Sequence, residues 1–400
     1  MIVFTKPKPA VRVIATARAI SLTGGAAAYL ALNFHIYKLT GSPVWVSAAL
    51  LLTFGTHGFL SPVAGAIGDR FDRQKVMIFS DLAGAVLFVW MALVHSPVVL
   101  IGVAFLTAVA EAPFWSASSA AIPALVSRDD IPWANSMVQV GFNMGMMVGP
   151  VIGGVLVASV GAHWVFAINA VSFVISAALV TSVRGRFHEH REAGDEEEYK
   201  GIRAGFVFVW RDRVLRTISI AWFVLVLGIG VAMVADVPLA EYFGTGSVGY
   251  GLIITAWGTG SLLGSLLGRM LKASTEGKAL VYGTGVVALL TASIGISPWF
   301  APILVAVLGA GVADGLTMVG EQGILQRRTP DAVRSRAIAA THAAVHIAFA
   351  VSFAFAGFVV NAVGPRAAYL IAGIGTAFGF VILVPILREL RPAPETEPAG

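Results

Sequence analysis

Two carboxyl groups stand well inside long apolar stretches of the sequence. Glu111 lies within an apolar run near residues 97–122, and Asp314 lies within another near 300–323. A carboxylate in hydrocarbon costs about 2.5 to 3.5 kcal/mol on the lenient insertion scale, so such acids usually have a function. Because desolvation favours the protonated form, an acid facing an aqueous cavity can bind a proton and release it when a cation arrives. The alternative is a structural acid that is hydrogen-bonded between helices.

Gln139 and Asn143, and likewise His342 and His346, form two polar pairs at helical spacing. Residues four apart share one helix face, and the two pairs align at an offset of 203 residues. This correspondence favours a polar face towards a substrate or proton cavity, with a hydrogen-bonding role in the core as the alternative. A zinc protease is not indicated, because Ala343 follows the first histidine where that chemistry needs a glutamate.

The sequence lacks the residue patterns of an enzyme. It contains no cysteine, which excludes disulfides, thiolate metal sites and cysteine nucleophiles. No serine stands in a G-x-S-x-G elbow, and no Walker lysine follows a glycine-rich loop. The glycines at 258, 260, 264 and 268 lie in an apolar stretch without a preceding strand, so we expect helix packing rather than nucleotide binding. We therefore predict no catalytic residues, no cofactor and no metal.

The composition indicates a membrane protein. The 400 residues are 57% hydrophobic and 12% charged, whereas soluble domains carry about 25% charged residues. Crossing a bilayer as a helix takes roughly 20 apolar residues. We predict an all-α protein with twelve such spans, near residues 13–37, 42–66, 76–95, 97–122, 133–160, 162–183, 214–237, 246–270, 279–297, 300–323, 334–361 and 364–387.

The basic residues predict the orientation in the membrane. With twelve spans both termini lie on one side, and all of the 27 Lys and Arg residues except Lys38 and Arg366 fall on that side. Cytoplasmic loops carry the excess of Lys and Arg, so we predict cytoplasmic termini in a multi-pass protein of the plasma or inner membrane. The same spread over loop ends forms no basic stripe, which argues against a nucleic-acid partner.

The two halves of the sequence resemble each other. The segment 65–70 is echoed at 264–269, an offset of 199, and 161–166 matches 364–369 at an offset of 203. Such repeats are typical of transporters whose halves rock about a central site. We predict an N-terminal six-helix bundle at 1–183, a cytoplasmic linker with an interfacial helix at 184–213, a C-terminal six-helix bundle at 214–388 and a cytoplasmic tail at 389–400.

A loop after the second span concentrates glycines, acids and bases. Small residues let two helices approach closely, while the Asp69 carboxylate can face a helix N-terminus and pair with Arg70 or Arg73. Such a cluster is a cytoplasmic latch that can be made or broken, and we expect Asp81 to support it from the third span. The predicted latch comprises Gly65, Gly68, Asp69, Arg70, Asp72, Arg73, Lys75 and Asp81.

The residue order in this loop resembles the major facilitator superfamily. A second block in span five resembles the exporters of that superfamily and comprises Gly145, Gly149, Pro150, Gly153 and Gly154. Together the blocks resemble the drug:proton antiporter branch that includes macrolide and enterobactin exporters. The resemblance implies a fold of two pseudo-symmetric bundles, a latch that stabilises closure, and span-five glycines that shape a helix contact shifting during alternating access. Many such antiporters carry an arginine in span four, whereas no Lys or Arg occurs here between Lys75 and Arg128.

These observations predict a transporter rather than an enzyme. We expect a secondary exporter of a hydrophobic or amphiphilic small molecule, such as a drug, an antibiotic or a siderophore-like compound. The resemblance implies exchange for protons by a monomer in the bilayer. An importer or facilitator of a polar metabolite is the alternative, and a transport-inactive membrane sensor or scaffold is a further one.

Overall fold

The protein is helical throughout the part that the structure, a computed structural model, describes. That part comprises residues 9–126, 130–183 and 202–389, and it contains no β-strand. In chain order the helices are α1 (Pro9–Thr40), α2 (Pro43–Arg70), α3 (Arg73–Leu93), α4 (Pro97–Leu125), α5 (Ile131–Val160), α6 (Ala162–Ser182), α7 (Ile202–Arg211), α8 (Arg213–Tyr242), α9 (Gly246–Gly268), α10 (Ala273–Ile296), α11 (Phe300–Arg328), α12 (Asp331–Leu383) and α13 (Ile386–Glu389).

These helices supply the twelve predicted spans. Within the described ranges, ten helices are long and apolar enough to cross a membrane, and α2 is partly apolar. The last of the ten runs over Arg336–Glu389, 54 residues. At about 1.5 Å per residue this length exceeds a hydrocarbon core of about 30 Å more than twofold, so it supplies two crossings. The prediction of an all-α membrane protein with twelve spanning helices is therefore confirmed.

Two glycines at matching positions turn the chain between consecutive spans. Gly161 joins α5 to α6 with φ 89° and ψ 163°, and Gly364 bends α12 with φ 80° and ψ 166°. A positive φ of this kind is strained for residues with a Cβ atom, so glycine is the residue that fits both turns. The repeat read from the sequence at an offset of 203 residues thus recurs as the same backbone turn.

Contacts divide the chain into two compact units. The first comprises the described part of Met1–Glu196 together with Asp236–Thr255, and the second comprises the described part of Glu197–Ala235 together with Ala256–Gly400. The end of α8 and the beginning of α9 therefore belong to the first unit, although they lie in the second half of the sequence. The bundle boundaries proposed from the sequence remain predictions.

In the first unit α1 packs between α5 and α6, while α3 packs against α4 and α6, and α2 against α4. One apolar cluster joins α1, α3 and α4 through residues such as Ile14, Met77 and Phe114. A second cluster joins α1 to the ends of α8 and α9, with Leu30 and Tyr250 both buried. Burial of this kind fixes α1 as the central helix of the unit.

In the second unit α10 packs against α11 and α12, and α7 docks on α12. We predicted a helix lying in the membrane interface within the linker at 184–213, of which 184–201 lie outside the described residues. The short helix α7 is present, but its Val209 side chain is buried among residues of α8, α11 and α12. The side chains of Phe206 and Trp210 are exposed. One face of α7 is therefore held by protein rather than by lipid.

Candidate functional site

A stripe of small residues brings α5 into close contact with α1. A Cβ atom added at Gly145 would lie 3.0 Å from the Thr23 nitrogen, and one at Gly149 would lie 2.7 Å from the Thr23 carbonyl oxygen. At Gly153 it would lie 2.7 Å from the Ala27 Cα atom. Real Cβ atoms do not approach so closely, and spacing by four residues keeps the three glycines on one helix face. These positions therefore let the two backbones touch.

The other two residues of the span-five block face α9 instead of α1. The Ser247 hydroxyl donates a hydrogen bond of 2.8 Å to the Gly154 carbonyl oxygen. A Cβ atom on Gly251 would lie 2.5 Å from the Pro150 carbonyl oxygen. The Thr255 hydroxyl donates to the carbonyl of Met147 on the same face, at 3.1 Å. The predicted helix-contact motif thus lies in two different interfaces, both within the first unit.

An ion pair spans the same region at the end of α1. Lys38 Nζ lies 2.6 Å from Glu241 Oε2. The pair is partly exposed, so it contributes only about 0–1 kcal/mol to stability. Lys38 is one of the two basic residues that the sequence places opposite the termini, and no pattern in the sequence predicted its partner Glu241.

The predicted latch begins at the end of α2. Gly65, Gly68 and Asp69 belong to this helix. The Asp69 side chain lies outside the described part of the chain, so its expected pairing stays a prediction. Arg70 is the last residue of α2, and its guanidinium carbon lies 5.9 Å from the centre of the Phe71 ring. Phe71 leaves the helical conformation and is exposed.

The remainder of the latch ties α3 to the ends of neighbouring helices. The Asp72 carboxylate caps α3 by accepting a hydrogen bond from the Lys75 backbone nitrogen at 3.0 Å. Arg73 Nη1 donates to the Ala120 carbonyl oxygen near the end of α4, at 2.8 Å. Gln74 Nε2 donates to two carbonyl oxygens at the end of α6, at 2.9 and 3.0 Å. Val183 follows the last residue of α6, where a helix leaves carbonyl groups unpaired, so Gln74 satisfies an acceptor there. The sequence analysis missed Gln74.

The structure brings Asp81 close to Glu111. Asp81 was predicted to support the latch, but its side chain is 1% exposed, its neighbour is Ser176 of α6, and Oδ2 has no hydrogen-bond partner in the described part of the chain. Glu111 on α4 is half-buried and interacts electrostatically with Asp81. The first unit therefore holds two neighbouring carboxyl groups between membrane-spanning helices.

The second unit holds a corresponding pair on α11. Asp314 and Glu321 lie two turns apart on one face and interact electrostatically. The side chain of Ser261 on α9 lies beside Asp314, and Trp222 on α8 lies beside Glu321. The sequence singled out Asp314, whereas Glu321 was passed over because it lies closer to the end of its span. Spacing by seven residues was the available signal.

The four predicted polar residues lie on α5 and α12. Gln139 Nε2 donates a hydrogen bond of 3.1 Å to Asn143 Oδ1, and Gln139 is exposed while Asn143 is half-buried. His342 and His346 both have exposed side chains on α12. Across the described ranges no group of three or more His, Asp or Glu side chains could hold a metal ion.

The second unit also has ion pairs near the ends of α10 and α11. Glu276 is buried and pairs with Arg327, and Arg328 Nε lies 3.2 Å from Asp212 Oδ2. In the repeat of the latch segment, Gly268 stands where the first half has Asp69, so this half lacks the corresponding acid. Its acids come instead from α10 and from the residue between α7 and α8, which the motif comparison did not include.

An apolar groove of about 660 Å³ lies between α1, α5 and α6 of the first unit. Its polar groups are few, with Arg12 and Asn169 among them. Arg12 is exposed, on the face of α1 that bears Ala15, Ala19 and other small residues of the groove. The groove offers a surface for apolar groups and no cluster of charges.

Comparisons with known proteins agree with this architecture. The enterobactin exporter EntS of Shigella boydii serotype 18 is 24% identical over 98% of this chain and 95% of its own length. The protein of that name from Escherichia coli O1:K1 is 25% identical with the same coverage.

Solved transporter structures share the fold. A bacterial homologue of the iron transporter ferroportin, crystallised in an inward-facing state, matches with a TM-score of 0.74 at 15% identity, over 94% of this chain and 98% of its own. A POT family transporter in complex with 5-aminolevulinic acid matches with a TM-score of 0.76 at 10% identity, over 97% of this chain and 98% of its own. The family model described as transmembrane secretion effector matches residues 7–397. The chain therefore belongs to the transmembrane secretion effectors of the major facilitator superfamily, a family of transporters rather than enzymes.

Proposed function

We propose that the protein exports a hydrophobic or amphiphilic small molecule in exchange for protons, by alternating access. The observation that carries the proposal is a pair of interacting carboxyl groups inside the membrane-spanning helices of each unit, Asp81 with Glu111 and Asp314 with Glu321. Full-length relatives that are named as exporters support the direction of transport.

The carboxyl pairs suit a proton-coupled cycle. Two carboxylates that interact in a low-dielectric interior repel each other, and a bound proton removes that repulsion. Water reaching either pair from one side of the membrane would deliver the proton, and water from the other side would remove it. Glu111 and Asp314 are half-buried, so a small rearrangement of the surrounding helices would expose them. We assign proton binding to these two residues.

The contacts of α5 suit the conformational step. Pro150 and Gly154 pack against the start of α9, while Gly145, Gly149 and Gly153 pack against α1. The α5–α9 contacts join helices from different halves of the sequence, whereas the α5–α1 contacts join helices from the same half. We propose that the contacts with α9, together with the Lys38–Glu241 ion pair, break when the extracytoplasmic side opens. The α1–α5 contact is retained as a rigid base.

The polar residues suit contacts with the substrate. Gln139 and Asn143 on α5, and His342 and His346 on α12, are assigned to a substrate or proton cavity. The latch residues between α2 and α3 are assigned to closure of the cytoplasmic side. We propose that the protein works as a monomer in the plasma or inner membrane with both termini in the cytoplasm.

A panel of compounds tests the proposal in cells. Cells with and without the gene would be compared for survival and intracellular content across dyes, macrolides and a siderophore, with and without an uncoupler. Export predicts depletion of at least one compound, abolished by the uncoupler. Accumulation instead of depletion would indicate the importer, and depletion that ignores the uncoupler would contradict proton drive.

A further inference from the structure

Arg18 is a buried arginine in the first half of α1. It is only 6% exposed, and the helix around it is mostly apolar. A guanidinium group stays charged at any physiological pH and carries five hydrogen-bond donors. Its Nε atom has no acceptor within the described part of the chain, and no acid pairs with it there. Among the described residues, Arg18 is therefore a positive charge without a counter-ion.

The contact that Arg18 does make is aromatic. Its guanidinium carbon lies 4.7 Å from the centre of the Trp115 ring on α4. Trp115 in turn meets Phe142 of α5 edge to face, with ring centres 6.2 Å apart. A cation–π contact contributes about 0.5–2 kcal/mol, whereas desolvation of an ion costs several kcal/mol, so the ring alone does not offset the burial.

Glu111 lies one turn before Trp115 on α4, but no ion pair joins it to Arg18 among the described residues. In the described part of the chain, α1, α4 and α5 therefore bring together a cation that has no counter-ion and two half-buried aromatic rings. This combination matches an anionic group on a flat, apolar body, because arginine binds oxyanions in two-point fashion and rings stack on planar groups.

We propose that Arg18, Trp115 and Phe142 form a subsite for an anionic aromatic group of the transported molecule. The guanidinium binds the carboxylate or phenolate oxygen, and the two rings contact the aromatic body. This assignment rests on the proposed transport function and narrows its substrates to molecules that carry such a group. It also gives a role to a basic residue on α1 that lies against span four, where the sequence has no base of its own.

Binding to the purified, full-length protein in lipid nanodiscs tests the subsite. The probes are 2-naphthoate and its neutral analogue 2-naphthamide, measured by equilibrium dialysis. We expect at least tenfold tighter binding of naphthoate than of naphthamide. Arg18→Gln should abolish this preference and Arg18→Lys should retain part of it, while Trp115→Leu should weaken both probes. The control is Arg388→Gln, on the exposed surface of α13, which should leave both affinities unchanged.

Some outcomes would overturn the subsite. These are equal binding of the two probes to the native protein, no saturable binding of naphthoate, and unchanged preference in an Arg18→Gln protein that melts as the native one does. If Arg18→Gln does not fold, a reduced preference in Arg18→Lys together with weaker binding of both probes by Trp115→Leu decides the question. Unchanged affinity of Trp115→Leu for both probes would overturn the proposal. Binding needs no gradient, so the two proposals can fail separately. If the protein binds naphthoate through Arg18 but transports nothing, the proposed export function is contradicted and the subsite is not.

Discussion

Ionisable residues lie inside the membrane-spanning helices, and their neighbours decide what each can do. The interior carries Asp81 with Glu111 in one unit and Asp314 with Glu321 in the other, while Arg18 forms no ion pair with any of these four acids. Hydropathy revealed Glu111 and Asp314 because both interrupt long apolar runs. It could not reveal Asp81 as the neighbour of Glu111, since proximity between α3 and α4 depends on how the helices pack. Glu321 was different, because its spacing of seven residues from Asp314 on α11 can be read from the sequence. The burial of Arg18 was hidden, because near a chain end an arginine also serves as a topology signal.

Neutralising the two central acids tests coupling at the residue scale. Glu111→Gln and Asp314→Asn keep the size of the side chain and remove its proton site. We expect each to reduce pH-driven flux in proteoliposomes by at least tenfold, while exchange of substrate across the membrane without a gradient continues. Glu389→Gln, which removes an exposed carboxylate at the end of α13, serves as the control and should retain driven flux. Unchanged pH-driven flux in both acid variants would remove these residues from coupling.

The close contact between α1 and α5 depends on glycines, which have no side chain to separate the two backbones. The sequence indicated the span-five residues as a helix-contact motif, and the structure places Gly145, Gly149 and Gly153 against α1. That Pro150 and Gly154 face α9 could not be read from the spacing, because the partner of a helix face is a tertiary property. The turn at Gly161 and Gly364 was predictable from the repeat, since both copies require a positive φ.

Filling the contact between α1 and α5 should damage the fold of the first unit. Gly149→Val places a branched side chain where the added Cβ atom alone would lie 2.7 Å from the Thr23 carbonyl oxygen. Overpacking of a tight contact typically costs about 1–3 kcal/mol. We expect a lower melting temperature and reduced transport. Gly102→Val on α4, where an added Cβ atom meets nothing within 4 Å, is the matched control and should melt as the native protein does.

Reversing the Lys38–Glu241 pair tests its role in the conformational cycle. Lys38→Glu or Glu241→Lys alone places like charges at a contact of 2.6 Å, and the double reversal restores the attraction. We expect each single variant to shift the protein towards states labelled from the extracytoplasmic side, measured by reactivity of a cysteine introduced at Thr245. The cysteine-free native sequence makes this label unique. Equal reactivity in the single and double variants would show that the ion pair has no part in the change.

The whole molecule is an assembly of twelve spanning helices whose repeat is visible in the sequence. Composition, hydropathy and the two motifs were sufficient for the fold class and the superfamily, because each spanning helix must satisfy its own backbone and carry its own apolar surface. The division of the chain into two compact units could not be predicted from the sequence in the same way. The segment Asp236–Thr255 packs with the first half through Ser247, Gly251 and Tyr250, and such contacts leave no mark in periodicity. Substrate and coupling ion likewise depend on side chains brought together from several helices.

The central claim is that an inward proton gradient drives a small molecule outward, and one measurement addresses it directly. Purified protein in proteoliposomes of known orientation would be given a proton gradient, with pH recorded inside together with a substrate identified from the cell panel. The account predicts that proton movement in one direction accompanies substrate movement in the other, and that both fall together in Glu111→Gln. Substrate flux that proceeds at the same rate with no gradient, or protons and substrate that move in the same direction, would contradict it.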